Sequence, residues 1–277
     1  MEGREIMEKL LWTEQICYSY EENVPVLDHV STTFYTGEKV AVIGSNGSGK
    51  STFFLNLNGV LTPDSGTIWY RDKEIGKKEK NLLRQHVGFV FQDADQQIIA
   101  PTVTAEVSFG PMNLKLDKNE VRRRTEHAME AMDLMELAER APHNLSGGQK
   151  KRVSIADIMA MEPELILFDE PTTALDPQNQ QMLEQVLEGL TEAGKTLVVS
   201  THDVDFAYRF ADRILVFDEG RIIADDVPEN IFSREDVLIR ANLRLPMMMK
   251  ITDFLKEKGI VESGFAPRTP EELKAML

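Results

Sequence analysis

One cysteine, Cys17, stands among 277 residues, so no internal disulfide can form and a reducing cytosol fits. Long apolar runs are missing too: none approaches the ~20 residues that span a bilayer, and the N-terminus shows no signal-peptide pattern. Positive charge is scarce, with 31 Lys and Arg against 46 Asp and Glu and a formal net charge of −15. That argues against an extended nucleic-acid surface and leaves room only for a local basic groove. Long repeats, low-complexity segments and the guanine-reading sequences Asn-Lys-x-Asp and Thr-Lys-x-Asp are absent. What remains is an ordinary globular composition, 42% hydrophobic and 28% charged, in a chain long enough for one large or two modest domains.

The most informative stretch is Gly44-Ser45-Asn46-Gly47-Ser48-Gly49-Lys50-Ser51-Thr52. It follows the apolar run Val40 to Ile43 and precedes Phe53 to Leu57, which continues as a helix. A strand, a glycine-rich turn and a helix N-terminus make a phosphate cradle, because glycines let successive N–H groups point inward. Lys50 then supplies charge for the β- and γ-phosphates and the Ser51 hydroxyl a ligand for Mg²⁺. The alternative is a Gly/Ser-rich loop that fits by accident. Chance matches in a chain of this length are on the order of one in a hundred, and the flanking strand and helix lower that further. The stretch reads as a nucleoside triphosphate site, and the missing guanine motifs favour ATP over GTP.

Residues 11 to 35 alternate polar and apolar and read as two strands joined at Glu21-Glu22-Asn23. A tyrosine in the first of them can stack on a purine, although a cross-strand packing pair is the commoner role. Pro63 to Gly66 is a turn and Thr67 to Tyr70 a short strand, so a small antiparallel sheet is expected beside the nucleotide domain. Val87 to Phe91 is a buried strand ending on Gln92. Asn119 to Ala141 carries Val121, Ala128, Met129, Met132 and Met135 at helical spacing, with the methionines as core filler. Arg122-Arg123-Arg124 near its start reads as a solvated face.

Three further apolar runs end in polar residues: Leu165 to Phe168 before Asp169-Glu170-Pro171, Thr196 to Ser200 before Thr201-His202-Asp203, and Ile214 to Phe217 before Asp218-Glu219-Gly220. Helical stretches lie between them, which predicts a largely parallel α/β sheet. Ligands of such sheets gather at the carboxyl ends of the strands, where the lysine loop, Gln92, Asp169, Glu170 and His202 should converge. Asp169 is placed to hold Mg²⁺ through water, and Glu170 to orient or deprotonate a water attacking the γ-phosphate. A helix N-cap would account for Asp-Glu-Pro alone, but not for the strand before it or for the second acid. His202 is placed to donate to the γ-phosphate. His29, His86, His127 and His143 read as structural.

Leu145-Ser146-Gly147-Gly148-Gln149-Lys150-Lys151-Arg152 makes a second anion-binding helix N-terminus. One nucleotide does not need two cradles so far apart in sequence, so two chains should face each other, each finishing the other's site.

Together, Gly44 to Thr52, Gln92, Leu145 to Arg152, Leu165 to Pro171, Ala174-Leu175-Asp176 and His202 resemble, in order, the motif set of an ATP-binding cassette (ABC) ATPase. The resemblance covers roughly residues 11–220, with a helical subdomain at about 93–161, and leaves 221–277 as a C-terminal extension. It implies a P-loop NTPase fold with a parallel core sheet, an antiparallel β subdomain and a helical signature subdomain, with ATP and Mg²⁺ as ligands. It further implies that Tyr20 stacks on adenine, and that Leu145, Ser146, Gly147, Gly148 and Gln149 act on the γ-phosphate of the facing subunit. Asp176 would link the two sites. Ser51, Gln92 and Asp169 would hold Mg²⁺, and Glu170, His202 and Gln92 would serve catalysis.

A narrower resemblance runs through Phe91 to Val103 and Val107 to Leu114. It is similar to the ATPase subunit of energy-coupling-factor importers, and Ala100-Pro101-Thr102-Val103 with Phe109-Gly110-Pro111-Met112-Asn113-Leu114 is similar to the cobalt/nickel branch. Ala156-Asp157 departs from the Ala-Gly common in that group. The resemblance implies a dimer, of identical or paralogous cassettes, on the cytoplasmic face of a membrane. Its partners would be a transmembrane coupling subunit and a membrane substrate-binding subunit, without nucleic acid. A vitamin importer, a soluble ABC ATPase of DNA repair or translation, and a small-molecule kinase are the rival readings. In the extension, Met247 to Lys258 offers Met248, Ile251, Phe254 and Leu255 as an apolar helix face. Thr269-Pro270-Glu271-Glu272 is a capping box with proline at N1. Family members carry an extension that aids dimerisation, so Met247-Met248-Met249 reads as packing rather than as soft-metal ligands.

Overall fold

The computed structural model describes residues 8–277 apart from Asn23, Ala174, Ser263 and Phe265. Two of the sequence readings, the turn at Asn23 and the Ala174 end of the Ala174-Leu175-Asp176 motif, fall on residues outside that description.

The strands run β1 (Lys9–Glu21), β2 (Val24–Tyr35), β3 (Lys39–Gly44), β4 (Ser65–Tyr70), β5 (Lys73–Glu74), β6 (Val87–Val90), β7 (Leu165–Asp169), β8 (Thr196–Ser200), β9 (Arg213–Asp218) and β10 (Arg221–Asp226). They form two sheets, an antiparallel one in the order β2-β1-β4-β5 and a larger one in the order β10-β9-β3-β8-β7-β6. Strands β9, β3, β8, β7 and β6 are parallel, and β10 returns antiparallel at the edge. Every residue of β6, β7 and β8 is buried, as expected of strands covered on both faces. In β1 buried and exposed residues mix, because one face of a two-layer sheet meets water.

The helices are α1 (Lys50–Leu57), α2 (Lys80–His86), α3 (Val103–Asn113), α4 (Lys118–Ala131), α5 (Gly147–Ala160), α6 (Pro177–Glu192), α7 (Val204–Phe210), α8 (Pro228–Ser233), α9 (Glu235–Arg240), α10 (Met247–Glu257) and α11 (Pro270–Met276). Helix α1 lies in the core between the two sheets. Its Phe53 ring sits 5.2 Å from Phe217 of β9 and 6.4 Å from Phe34 of β2. Burial of each such ring contributes about 1.5–3 kcal/mol, which ties the glycine loop ahead of α1 to both layers. Helices α3, α4 and α5 pack together over a second core that runs on to β7 and α6.

The long helix expected over 119–141 is shorter. It ends at Ala131, where Asp133 turns left-handed (φ +51°) and the Leu134 N–H donates to Met129 O at 2.9 Å. That closure buries Leu134 instead of extending the helix. Met129 and Met132 are core residues, but Met135 lies past the turn and is exposed. Of the arginine run, Arg122 and Arg123 are exposed on the helix surface. Arg124 is covered and fastens α4 to the end of α5 through Glu162 and the Met161 carbonyl.

Strand β10 belongs to the main sheet, so a division at Gly220 falls inside the β9–β10 hairpin. Helices α8 and α9 likewise bury Ile231, Phe232, Val237 and Ala241 against Ala41, Ile43, Ile214 and Val216 of the sheet. Met248 and Met249 pack against that cluster, whereas Met247, Ile251 and Phe254 are exposed. The apolar face expected on α10 is therefore divided between core and surface. At Thr269 the capping box is half made. Thr269 Oγ1 accepts from Glu272 N, but the Glu272 carboxylate accepts from Arg268 N instead of from Thr269 N.

Candidate nucleotide site

The carboxyl ends of β3, β6, β7 and β8 open on a cavity of about 460 Å³. Asn46, Gly47, Gly49, Lys50, Ser51 and Thr52 line it from the glycine loop, and Val26, Gln92, Glu170, Thr173 and His202 from elsewhere. Of the residues expected to converge, the lysine loop, Gln92, Glu170 and His202 line the cavity, whereas Asp169 closes β7 without lining it; Val26 and Thr173 are additions that no sequence signal marked.

The glycines are there for steric reasons. Gly44 has φ +147°, and a Cβ built on it would lie 2.2 Å from the Phe217 carbonyl oxygen of β9. Gly49 has φ +105°, and its Cβ would press on the Val26 carbonyl at 2.8 Å. The loop is also fastened from outside: Gly220 N donates to Ser48 O at 3.0 Å, and Asp28 N donates to Gly220 O at 2.9 Å. Within the loop Ser45 O accepts from Ser48 N at 3.2 Å. Lys50 Nζ donates to Gly44 O at 2.9 Å and Ser45 O at 3.1 Å. Burial pulls the Lys50 ammonium below the usual lysine range, while the charges of Glu170 and Asp169 pull it back. Among the described residues neither Ser48 Oγ nor Thr173 Oγ1, both buried, has a hydrogen-bond partner. Thr173 and Lys50 both line the cavity, and an unpaired hydroxyl with a buried ammonium suits a ligand rich in acceptor oxygens.

Asp169 closes β7 and accepts from Ser200 Oγ at 2.6 Å. Glu170, the next residue, is in the left-handed region at φ +44° and is only 7% exposed. Its N–H donates to Ser200, both to Oγ at 2.9 Å and to the carbonyl at 3.1 Å. Such a conformation costs a non-glycine residue about 1–2 kcal/mol, and here Ser200 holds it. Glu170 Oε2 lies 2.7 Å from His202 Nδ1. The sequence assigns His202 to a phosphate; the structure ties Nδ1 to the carboxylate and leaves Nε2 for that task. Tyr20 is 59% exposed, meets Tyr18 edge-on, and touches the cavity rim through Thr52 Oγ1 at 3.3 Å.

The signature stretch lies outside this cavity. Leu145 is buried, and Ser146 caps α5 reciprocally with Gln149. Gly147 has open space where a side chain would stand, whereas a Cβ on Gly148 would come within 2.6 Å of the Asn179 amide. Asn179 in turn bonds both oxygens of Asp176, at 2.8 and 2.9 Å, which holds that carboxyl below its ordinary range. Asn179 therefore sits between Gly148 and Asp176, a link invisible in sequence because it crosses from α5 to α6.

The segment after β6 is pinned to α5. Gln97 receives the Phe91 N–H at 3.3 Å and donates to Ser154 O at 2.7 Å and Asp157 Oδ2 at 3.1 Å. Burial pushes the Asp157 carboxyl up to about 7; the Gln97 bond opposes this, and the nearby Glu106 charge adds to it. A raised folded value means that folding favours the protonated acid. Its contribution is fully present below the unfolded value near 3.8 and is lost as pH rises through about 7. Asp157→Asn is expected to melt with the wild type at pH 4 and roughly 4 °C above it at pH 8. Melting curves that stay superimposed at pH 8 would remove the argument.

The ABC transporter family model matches residues 27–173. The energy-coupling factor transporter ATP-binding protein EcfA2 of Methanospirillum hungatei is 43% identical over 95% of this chain and 67% of its own length. EcfA of Methanocaldococcus jannaschii is 42% identical over 91% of this chain and 92% of its own. Among solved structures, cbiO1 of Clostridium perfringens, described as part of the ABC transporter complex cbiONQ, superposes with a TM-score of 0.74 at 36% identity. That match covers 89% of this chain and 99% of that one. A dimeric ATP-binding cassette in a post-hydrolysis state, bound to ADP and Pi, gives 0.71 at 31% identity over 79% and 99%. Among the described residues no helix is long and apolar enough to cross a membrane. With a two-sheet fold, a glycine-loop cavity and relatives of this likeness, the chain belongs to the ABC transporter ATPases.

Proposed function

We propose that the chain is the ATP-hydrolysing subunit of an energy-coupling-factor importer and that two cassettes, identical or paralogous, act as a pair. The observation that carries this is the separation of the two cradles. Gly44 to Thr52 opens on the cavity with Glu170 and His202, while the capped Ser146 end of α5 stands outside it.

In this reading the Gly44 to Thr52 backbone and Lys50 bind the ATP phosphates, with Tyr20 against the adenine. Ser51 and Gln92 line the cavity, and Asp169 stands at the end of β7; these three hard-oxygen donors suit Mg²⁺, which supplies charge neutralisation for the phosphates. Glu170 takes the proton of the attacking water, and its bond to His202 aims the carboxylate. Leu145 to Gln149 of the facing chain close over the γ-phosphate, and the Asp176 regions meet between the two sites. Lys50→Ala is expected to weaken ATP binding at least tenfold by equilibrium titration, since a buried charge pairs with the phosphates.

The energy-coupling-factor type is supported by the names of the relatives. The membrane partner is supported by the exposed Ile99, Phe109 and Met112, apolar residues just past Gln92 that leave a surface for a coupling subunit. The cobalt/nickel substrate rests on the Ala100 to Val103 and Phe109 to Leu114 stretches and on the likeness to cbiO1. The exposed Met247, Ile251 and Phe254 of α10 give the extension an apolar face for the dimer. Reconstitution with its co-purifying membrane subunits tests the whole reading, with ATP-dependent Co²⁺ and Ni²⁺ uptake as the expected result. Vitamin uptake without metal uptake would move the substrate, and co-purification with ribosomes or DNA would overturn transport.

A further inference from the structure

Lys151 lies in the second turn of α5 and is 5% exposed. Among the described residues no carboxylate lies within ion-pair distance of its ammonium. Its partners are two backbone carbonyls, Phe91 O at 2.7 Å and Gln92 O at 3.0 Å, both at the exit of β6. Burying an ammonium is costly, and the more distant charges of Asp169 and Asp93 offset only part of that cost, so a lysine kept for packing alone would be a poor choice where methionine fits. What the charge supplies is a double, charge-assisted grip on the backbone that carries the Gln92 side chain.

That grip does not stand alone. Gln97 joins Phe91 N to Ser154 O, and Lys150 at the rim reaches Asp95 at 2.6 Å. Residues 91–97 and the first turns of α5 are thus one piece. Gln92 faces the chain's own cavity, while Ser146 and Gly148 begin the same helix and lie outside it.

We infer that Lys151 is a positioning residue for hydrolysis: it makes the placement of Gln92 in one chain's cavity and of Ser146 and Gly148 over the facing chain's nucleotide a single mechanical variable. This deepens the paired-cassette reading above and rests on it. With Lys151 in place, a shift of Gln92 toward a bound γ-phosphate carries the end of α5 with it. Without it, each cassette still binds ATP, but the two placements come apart.

Lys151→Met keeps the length and apolar stem of the side chain and removes both bonds; Lys151→Arg keeps the charge. For Lys151→Met we expect ATP affinity of the isolated cassette to stay within about threefold of wild type, kcat to fall about thirtyfold, and ATP-driven dimerisation in a Glu170→Gln background to weaken by a similar factor. Arginine should restore part of both, and Arg122→Ala, on the exposed face of α4, should leave kcat within about twofold. A purely structural lysine would lower the melting temperature and leave kcat and dimerisation intact at temperatures where the variant is folded; that pattern overturns the inference. If Glu170→Gln alone forms no ATP-bound dimer, it is the paired reading that fails. If that dimer forms and is equally strong with Lys151→Met, the positioning role fails by itself.

Discussion

Glu170→Gln is expected to lower the steady-state rate of phosphate release by about a thousandfold while ATP remains bound. The substitution changes almost nothing else. The side chain keeps its length, the backbone keeps its two bonds to Ser200, and the amide can still meet His202 Nδ1. What disappears is the capacity to take a proton. Because Glu170 is 7% exposed, bulk solvent cannot stand in for it as a base at that position. The closed state then persists with its ATP uncleaved, and size-exclusion chromatography with ATP should show a dimer that the wild type forms only transiently. Glu170→Ala makes a useful companion, since it also removes the contact with His202. Turnover at wild-type rate in Glu170→Gln would remove Glu170 as the base. Turnover lost together with ATP binding would make its role structural.

Gly44→Ala is expected to abolish nucleotide binding and to destabilise the fold by at least about 3 kcal/mol. Two penalties add at this position. The backbone sits at φ +147°, where a Cβ is strained whatever the surroundings, and the new Cβ would lie 2.2 Å from Phe217 O. That oxygen is backbone within the parallel β3–β9 pair, whose register sets Gly44 opposite Phe217, so it cannot turn aside as a side chain can. Relief requires the loop to lift from β9, which moves Lys50 and Ser51 with it. Thermal melting and ATP titration check both parts. Gly47→Ala is the contrast: its Cβ would meet open space, so only the φ +79° strain applies and the loss of stability should be about 1 kcal/mol. Equal losses at the two positions would show that strain and not collision governs the loop.

What was legible from sequence was what is local. A glycine loop between a strand and a helix announces itself, because the phosphate cradle is built from consecutive residues. The strand ends at Gln92, Asp169 and His202 were equally plain, since parallel strands buried on both faces read as unbroken apolar runs. The links between such pieces were not legible. The left-handed turn at Glu170, its contact with His202, the Asn179 bridge between Gly148 and Asp176, and the Lys151 grip on Gln92 all join residues whose spacing carries no period. The overlong helix at 119–141 failed for a related reason. Apolar spacing continued past Ala131, but a closure at Leu134 turned the chain and put Met135 in solvent.

The way α8 and α9 seal the sheet has a practical consequence for exchanging cassettes between transporters. A transplanted ATPase unit ending at Gly220 would part β9 from β10 and uncover Ala41, Ile43, Ile214 and Val216. An unpaired strand edge beside a bare apolar face invites self-association and insolubility. The exchangeable module therefore runs at least through Met249, because Leu243, Leu245, Met248 and Met249 close over the same cluster beneath the strand that presents the glycine loop.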